Sequence, residues 1–472
     1  MNSPRIVIIG AGPAGTRAAQ ELVASGLRPT IIDENPASGG QIYRRPPPGF
    51  VRPGAVLYGT EAGRAQAVHD AFDALAPHVD YHRATVATGL DWHADGSGCL
   101  RYVHAGTVGE TTFDALIVAT GATDRLLPVP GWEQAGTYTL GAMQIALKAQ
   151  GCVLGSSVAF MGTGPLLYLV AAQYARAGAG VSAVIDTSGL RAQAHALPFL
   201  AARPDMLAKG ARLVAELRRR RIPLYRNARD LRIEHAAPGQ VCAVRFAVGS
   251  NRIEVPCNAV GLGFHLRAET QLADLAGCQF DFDPLARQWL PRMDGYGRTT
   301  RTGIYVCGDS ARILGADGAE IAGRLAARAV LHDHALPVLS TPDTQALLRA
   351  RGRMVRFAKG LAIAFPWPHA MARAMDDTTV LCRCEGVRAG EMRQAARDLD
   401  ACDINRAKAF SRVGMGRCQG RYCGPAACEA MAALLGRPVG QVGRLRGQAP
   451  VRPMPVAARP VPQNDAGCPP GA

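Results

Sequence analysis

Residues 6–34, IVIIGAGPAGTRAAQELVASGLRPTIIDE, decide the fold. An apolar run, Ile6 to Ile9, enters a glycine-rich turn, Gly10 to Gly15. A helical stretch follows from Thr16 and stops at Gly26, and a second apolar run ends on Asp33 and Glu34. Strand, turn, helix and strand in that order make a βαβ opening. The G-x-G-x-x-G spacing inside it, with an acid at the end of the second strand, is a dinucleotide fingerprint. Each position has a physical task. Gly10 permits the tight turn, Gly12 lets backbone approach a pyrophosphate, and Gly15 lets helix and strand pack closely. Pro13 and Ala14 open the helix, whose free N–H groups and positive dipole end face the phosphates. Asp33, followed by Glu34, suits ribose hydroxyls.

Further along, the pattern repeats. Val158 to Met161 runs into Gly162, Thr163 and Gly164, a helix pattern follows, and a strand from Val181 ends on Asp186. Leu167 stands where the fingerprint has its third glycine, so helix and strand approach less closely. Asp186 at a strand end would favour NAD over NADP. For Gly162, Gly164 and Asp186 three readings stay open: an NAD(P)H site, a site for another adenine nucleotide, or an empty relic. Alternating strands and helices predict an α/β fold with parallel sheets covered on both faces.

Two more segments bear on the first site. Ala119-Thr120-Gly121-Ala122 closes a strand, and Gly303 to Val306 leads to Gly308 and Asp309, an acid able to reach a ribityl chain. Together with the fingerprint, these motifs resemble the flavoproteins with two dinucleotide-binding domains. The resemblance covers residues 1–335. It implies FAD held by Gly10, Gly12, Gly15, Asp33, Thr120, Gly121 and Asp309, with Pro13, Ala14, Glu34 and Gly308 beside them. Gly39, Gly40 and Gln41 match a loop those proteins place near the flavin. The dithiol reductases of that family need two nearby cysteines beside the flavin. No C-x4-C follows Gly40 and no C-x-x-C follows Gly151, so dithiol reduction is excluded. No acid–base residue for substrate chemistry stands out. His332 and His334 flank Asp333 on what reads as a solvated helix end.

Thirteen cysteines in a chain without a signal sequence are not a disulfide framework. Eight of them are isolated and read as small buried apolar residues, or as a free thiol at Cys468. Cys382, Cys384, Cys418, Cys423 and Cys428 cluster. The C-x-C and C-x4-C pairs can converge on one centre, and four thiolates suit zinc or an iron–sulfur cluster. Gly414, Gly416, Gly420 and Gly424 free backbone N–H groups for cluster sulfurs, and five nearby arginines, including Arg412 and Arg421, offset cluster charge. These stretches resemble the [2Fe–2S] domain related to bacterioferritin-associated ferredoxin. The C-x4-C spacing matches a subgroup fused to flavoproteins, the α subunits of opine oxidases, D-hydroxyproline dehydrogenases and hydrogen cyanide synthase. The resemblance implies that Cys382, Cys384, Cys418 and Cys423 hold [2Fe–2S], with Cys428 a spare packed in a helix.

The predicted architecture is therefore two Rossmann-like (FAD/NAD(P)-type) dinucleotide-binding domains plus a small C-terminal [2Fe–2S] domain. An FAD domain spans 1–118 and 290–338, the second dinucleotide domain 119–289, a basic and apolar linker 339–377, the cluster domain 378–440, and an extended Pro-rich tail 441–472.

Lys plus Arg number 53 against 38 Asp plus Glu, and only four of the 53 are Lys. The Arg, Ala, Gly and Pro bias reads as coding composition, and no nucleic-acid motif accompanies it, so nucleic acid is not an expected partner. Arg218 to Arg221 reads as a solvated helix end. No apolar run is long enough to span a membrane and no leader precedes the first strand, which points to the cytoplasm. Arg349 to Lys359 carries five positive charges and no acid. It reads as an interdomain helix, or as a dock for a partner protein or the inner membrane surface.

Flavin beside a one-electron cluster is a wiring arrangement. The resemblance implies an electron-transferring α subunit that works with an FAD-dependent, amino-acid-oxidising β subunit. A small ferredoxin-like γ subunit is a further implied partner, with FMN as a further cofactor at a subunit interface. A stand-alone NAD(P)H-dependent acceptor reductase is the alternative.

Overall fold

Ile6–Ile9 is buried along its whole length and forms the centre of a five-stranded parallel sheet. The strands run across it as Ile304–Val306, Ala115–Val118, Ile6–Ile9, Thr30–Ile32 and Asp80–His82. Burial on both faces explains why the central strands are continuous apolar runs instead of alternating ones. This computed structural model describes residues 3–50, 52–93, 97–340, 343–456 and 459–460.

One face of the sheet carries helices Pro13–Ala24 and Gly315–Asp333, which pack together. Their contact encloses Glu21, fully buried and held by Arg324 at 2.6 Å and Arg328 at 2.8 Å. The other face is covered by an antiparallel layer, Thr85–Trp92, Gly98–His104 and Thr107–Phe113.

The second fingerprint opens a second five-stranded parallel sheet. Its order is Leu224–Tyr225, Gly180–Asp186, Ser157–Thr163, Ala259–Phe264 and Thr137–Thr139. An antiparallel three-stranded layer, Arg229–Ala237, Gln240–Val248 and Asn251–Pro256, is inserted before the Ala259 strand. The chain passes between the two sheets along the antiparallel pair Ala122–Asp124 and Leu266–Ala268.

Thr344–Ala364 is a 21-residue helix lying along helix Leu190–Leu200. It ends just before Phe365-Pro366, where proline disfavours helix in the residue before it. Arg349, Arg353, Arg356 and Lys359 are exposed along it. Beyond it Trp367 is buried, edge-on to Phe264, with the Arg125 guanidinium 3.8 Å above its ring. No helix of the described residues is long and apolar enough to cross a membrane.

One sequence expectation needs correction here. The cysteine-rich unit is not tethered behind the second domain but shares one continuous core with it, from Leu126 through Trp367 to Val442. The Trp132 indole N–H donates to the Val380 carbonyl at 2.6 Å across that contact. The extended tail is held against the protein. It has no regular structure over residues 443–456, yet Val451 is buried, its amide donates to Thr88 O at 2.9 Å, and Arg452 pairs with Glu34 at 3.0 Å. Pro-rich composition does not prevent a chain from lying on a surface whose polar groups can hold it. Arg459–Pro460 adds beside Thr107. The last expected segment, with Cys468, lies outside the described residues.

Candidate functional site

A cavity of about 680 Å³ opens at the carboxyl ends of the first sheet's strands, where open α/β sheets bind ligands. Gly10, Gly12, Pro13, Ala14, Asp33, Glu34, Gly40, Gln41, Thr120, Gly121 and Asp309 all line it. Gly15 and Gly308 stand behind the wall. A side chain at Gly15 would collide with the Gly10 carbonyl, and one at Gly308 would lie 2.8 Å from Ala14 Cβ. The Gly39–Gln41 loop closes over the fingerprint: Gly39 N donates to Ala11 O at 2.9 Å.

Asp33 and Glu34 divide their work. Asp33 is buried and accepts from the Ala11 amide at 2.5 Å and the Asn35 amide at 2.6 Å. Burial pushes its pKa up against those donors. It therefore fixes the glycine-rich turn from within. Glu34 is more exposed and meets Arg452. Thr120 Oγ1 donates to the Glu269 carbonyl at 2.8 Å, and the Glu269 amide donates to Gly121 O at 3.0 Å. Asp309 accepts from Leu314 N at 2.8 Å and Gly315 N at 3.2 Å, and burial pushes its pKa up to about 6.

The second fingerprint is also assembled, but its chemistry is spent internally. Asp186 is fully buried. One oxygen takes Thr163 Oγ1 at 3.1 Å and Ser188 N at 2.8 Å; the other takes Tyr168 OH at 2.7 Å and Ser188 Oγ at 2.8 Å. Burial raises its pKa despite these donors. A side chain at Gly164 would meet the His265 ring at 3.2 Å, and a side chain at Gly162 would collide with Gly263 O. His265 bonds to the Phe365 carbonyl, and burial drops its pKa to about 4, so it is neutral. Phe365 also faces Tyr168, 6.5 Å between ring centres.

Cys382, Cys384, Cys418 and Cys423 come together from the end of strand Val380–Cys382 and from the segment before helix Gly424–Leu434. Cys382 lies beside Cys423 and Cys384 beside Cys418, and all four are free thiols. The Gly414 amide points at Cys382 Sγ at 3.5 Å, and a side chain at Gly416 would collide with Cys384. Among the described residues these thiols are not drawn into a group of three or more His, Cys, Asp or Glu in metal-holding geometry. The donor set still suits a thiolate-bound cluster: four sulfurs, an amide aimed at one, and cations near by. Arg412 is tied to Glu385 at 2.8 Å. Cys428 is buried in helix Gly424–Leu434, as the sequence suggests. Of the isolated cysteines, Cys99, Cys257, Cys278 and Cys307 are buried, but Cys152, Cys242 and Cys402 are exposed.

Sequence reasoning missed how this cysteine loop meets the cavity. Arg421 and Tyr422, between Cys418 and Cys423, line the same cavity as Thr120, Gly121 and Asp309. Arg421 is paired with Glu269 at 2.6 Å, both side chains 5 % exposed. Its donor Nη1 also holds Val451 O at 2.9 Å. In the sequence Arg421 is one of several arginines near the cysteines, but nothing around Glu269 marks it as the partner.

Residues 4–330, well over half of the chain, match the family model described as pyridine nucleotide-disulphide oxidoreductase. The chain belongs to that family. It is an FAD-dependent oxidoreductase, and Gly10, Gly12, Thr120, Gly121 and Asp309 line one cavity. Over residues 381–460 the matching model is described as sarcosine oxidase A3 domain, and its match runs past residue 440 into the tail. The chain is 37 % identical over 470 residues to the opine oxidase A subunit of Agrobacterium tumefaciens (strain Ach5), covering 96 % of this chain and 90 % of that protein. It therefore also belongs to the family of opine oxidase A subunits. It is 29 % identical over 476 residues to hydrogen cyanide synthase subunit HcnB of Pseudomonas aeruginosa (strain ATCC 15692 / PAO1), covering 96 % of this chain and 98 % of that one. Among solved structures, L-proline dehydrogenase from P. horikoshii has the same fold, with a TM-score of 0.67, 17 % identity, and coverage of 96 % of this chain and 78 % of that one.

Proposed function

We propose that this chain is the electron-relaying α subunit of a heteromeric dehydrogenase for amino-acid, opine or imino-acid substrates. A partner β subunit carrying its own FAD oxidises the substrate C–N bond, and electrons pass through this chain toward an acceptor. The observation that carries the reading is the shared cavity wall: the Cys418–Cys423 loop contributes Arg421 and Tyr422 to the cavity built by the FAD fingerprint. A loop that touches both sites keeps two redox groups close and dry. The names of the relatives, an opine oxidase A subunit, and hydrogen cyanide synthase subunit HcnB, support subunit status.

In this reading Gly10, Gly12, Gly15, Thr120, Gly121 and Asp309 hold FAD, with Asp33 fixing the turn and Glu34 facing the ribose. Cys382, Cys384, Cys418 and Cys423 hold [2Fe–2S], which when bound would pass electrons singly. An interfacial FMN and a γ subunit belong to the same reading. The cytoplasm is the proposed location.

Gly162, Gly164 and Asp186 are proposed as structural. Asp186 has four internal donors and no exposed surface, so it offers a ribose nothing. Electrons then cannot enter from a nicotinamide here. The expected result is that NADH and NADPH leave the visible spectrum of the anaerobic, purified chain unchanged, while dithionite bleaches it. Iron and acid-labile sulfide should be found in that preparation. Bleaching by NADH would overturn the relay and favour a stand-alone reductase. Zinc without sulfide would overturn the cluster.

A further inference from the structure

Lys148 occupies the last turn of helix Leu140–Ala149 and is 2 % exposed. Its Nζ donates to the Ile42 carbonyl at 3.0 Å, which uses one of its three N–H donors. Ile42 directly follows the Gly39–Gln41 loop. Lys148 lines the same cavity as Gly12, Gly121 and Asp309, next to Gln144 and Gln173, which bond to each other at 3.0 Å.

A buried ammonium ordinarily has a carboxylate partner, because taking the charge from water is expensive. Here the charged group that bears on Lys148 is another cation, Arg44. Burial, helped by Arg44, drags the Lys148 pKa to about 8. Arg44 itself is engaged by Asn35 at 2.7 Å and Gln41 at 2.9 Å. The position is thus electrically incomplete, and the missing negative charge belongs in the cavity. The Asp33–Glu34 end suits the adenosine side of a dinucleotide, and Asp309 suits its ribityl chain. That leaves the wall that includes Ile42 and Lys148 for the ring.

We propose that Lys148 is the positioning cation for the flavin ring, supplying the charge that balances the ring's gain of one net negative charge when it takes up two electrons and one proton. The inference rests on the FAD reading above and adds the residue that sets the flavin's potential. Gln144 and Gln173 hold the helix face that presents it. The lysine touches no substrate in this role; it raises the affinity of the ring for electrons.

Sulfite is the probe. It adds reversibly to oxidised flavin and leaves negative charge on the ring, so its affinity reports a nearby cation. The comparison uses the full chain with FAD bound, as wild type, Lys148→Met and Lys148→Arg. In the methionine variant sulfite should bind about tenfold more weakly, and the flavin midpoint should fall by about 30 mV, the two-electron equivalent of tenfold. Lys148→Arg should restore most of both. Lys148→Gln keeps a donor for the Ile42 carbonyl and should show the same loss even if the methionine variant does not fold. Unchanged sulfite affinity and midpoint in a flavin-loaded Met or Gln variant overturns the proposal and leaves the FAD reading standing. A wild-type chain that takes up no FAD overturns both.

Discussion

Replacing Arg421 by methionine is expected to destabilise the docking of the cysteine-rich unit by about 3–5 kcal/mol, the usual cost of stripping one partner from a buried ion pair. Arg421 and Glu269 are each 5 % exposed, so solvent screens little of the pair. The loss reaches both the cavity and the cysteine loop. Glu269 backbone holds Thr120 and Gly121 at the cavity, and Arg421 sits inside the Cys418–Cys423 loop. Arg267 approaches the same carboxylate, and its Nη1 donates to the Arg421 carbonyl at 3.1 Å. The check is hydrogen exchange on the full chain. Amides of residues 378–440 should exchange much faster in the variant, while those of Ile6–Ile9 stay protected. Equal protection in both regions would mean that the apolar contact through Trp132 and Trp367 docks the unit without help from the pair.

The same pair gives docking a pH dependence with a definite sign. Burial pushes the Glu269 pKa up, but Arg421 and Arg267 more than offset it and hold it below the ordinary glutamate range. Asp274, gripped by Arg444 at 2.6 Å, is lowered in the same way. A carboxylate whose folded pKa is depressed stabilises the fold above its unfolded pKa, and that contribution is lost as pH falls through the folded one. Protection of residues 378–440 should therefore be flat from neutrality down to the ordinary carboxylate range and fall below it. In Arg421→Met the Glu269 part of that acid loss should disappear.

The first fingerprint turn was legible in the sequence because its geometry is local. One turn, one helix start and one strand end carry Gly10, Gly12, Gly15 and Asp33, and short-range geometry dictates all four. The second site shows the limit of the same reasoning. Gly162, Gly164 and Asp186 follow the pattern, yet what decides their use lies a hundred or more residues away in some cases: His265 against Gly164, and Phe365 carbonyl on His265. A fingerprint encodes the turn but not what fills the space in front of it. The cysteine unit was legible as a cluster of thiols, because C-x-C and C-x4-C are local spacings. Its docking was not, since it depends on Glu269, Glu429 and Asp274 meeting Arg421, Arg287 and Arg444 across separate segments. At the tail composition is silent on docking, because proline content says nothing about whether Val451 finds a pocket.

The two glycines of the first turn should separate packing from ligand contact. Gly15→Ala puts a methyl group into the Gly10 carbonyl and 3.4 Å from Ile8 Cγ2, so helix Pro13–Ala24 has to move off the central strand. Overpacking of that kind costs about 1–3 kcal/mol or more, and the variant should lose thermal stability whether or not FAD is present. Gly12→Ala is different. A Cβ there would meet Gly40 Cα at 3.6 Å, ordinary contact, and the Gly12 backbone is at φ −77°, which alanine adopts freely. The apo fold should hold within about 1 kcal/mol. FAD should nonetheless bind tenfold to a hundredfold more weakly, because the methyl group stands where a pyrophosphate meets backbone N–H groups, and a hydrogen bond to a charged group is worth about 1.5–3 kcal/mol. The measurement is a flavin titration beside a thermal melt of each apo protein. If Gly12→Ala bound FAD as tightly as the wild type, the pyrophosphate would not lie on this turn, and the cavity's use as an FAD cradle would need another orientation.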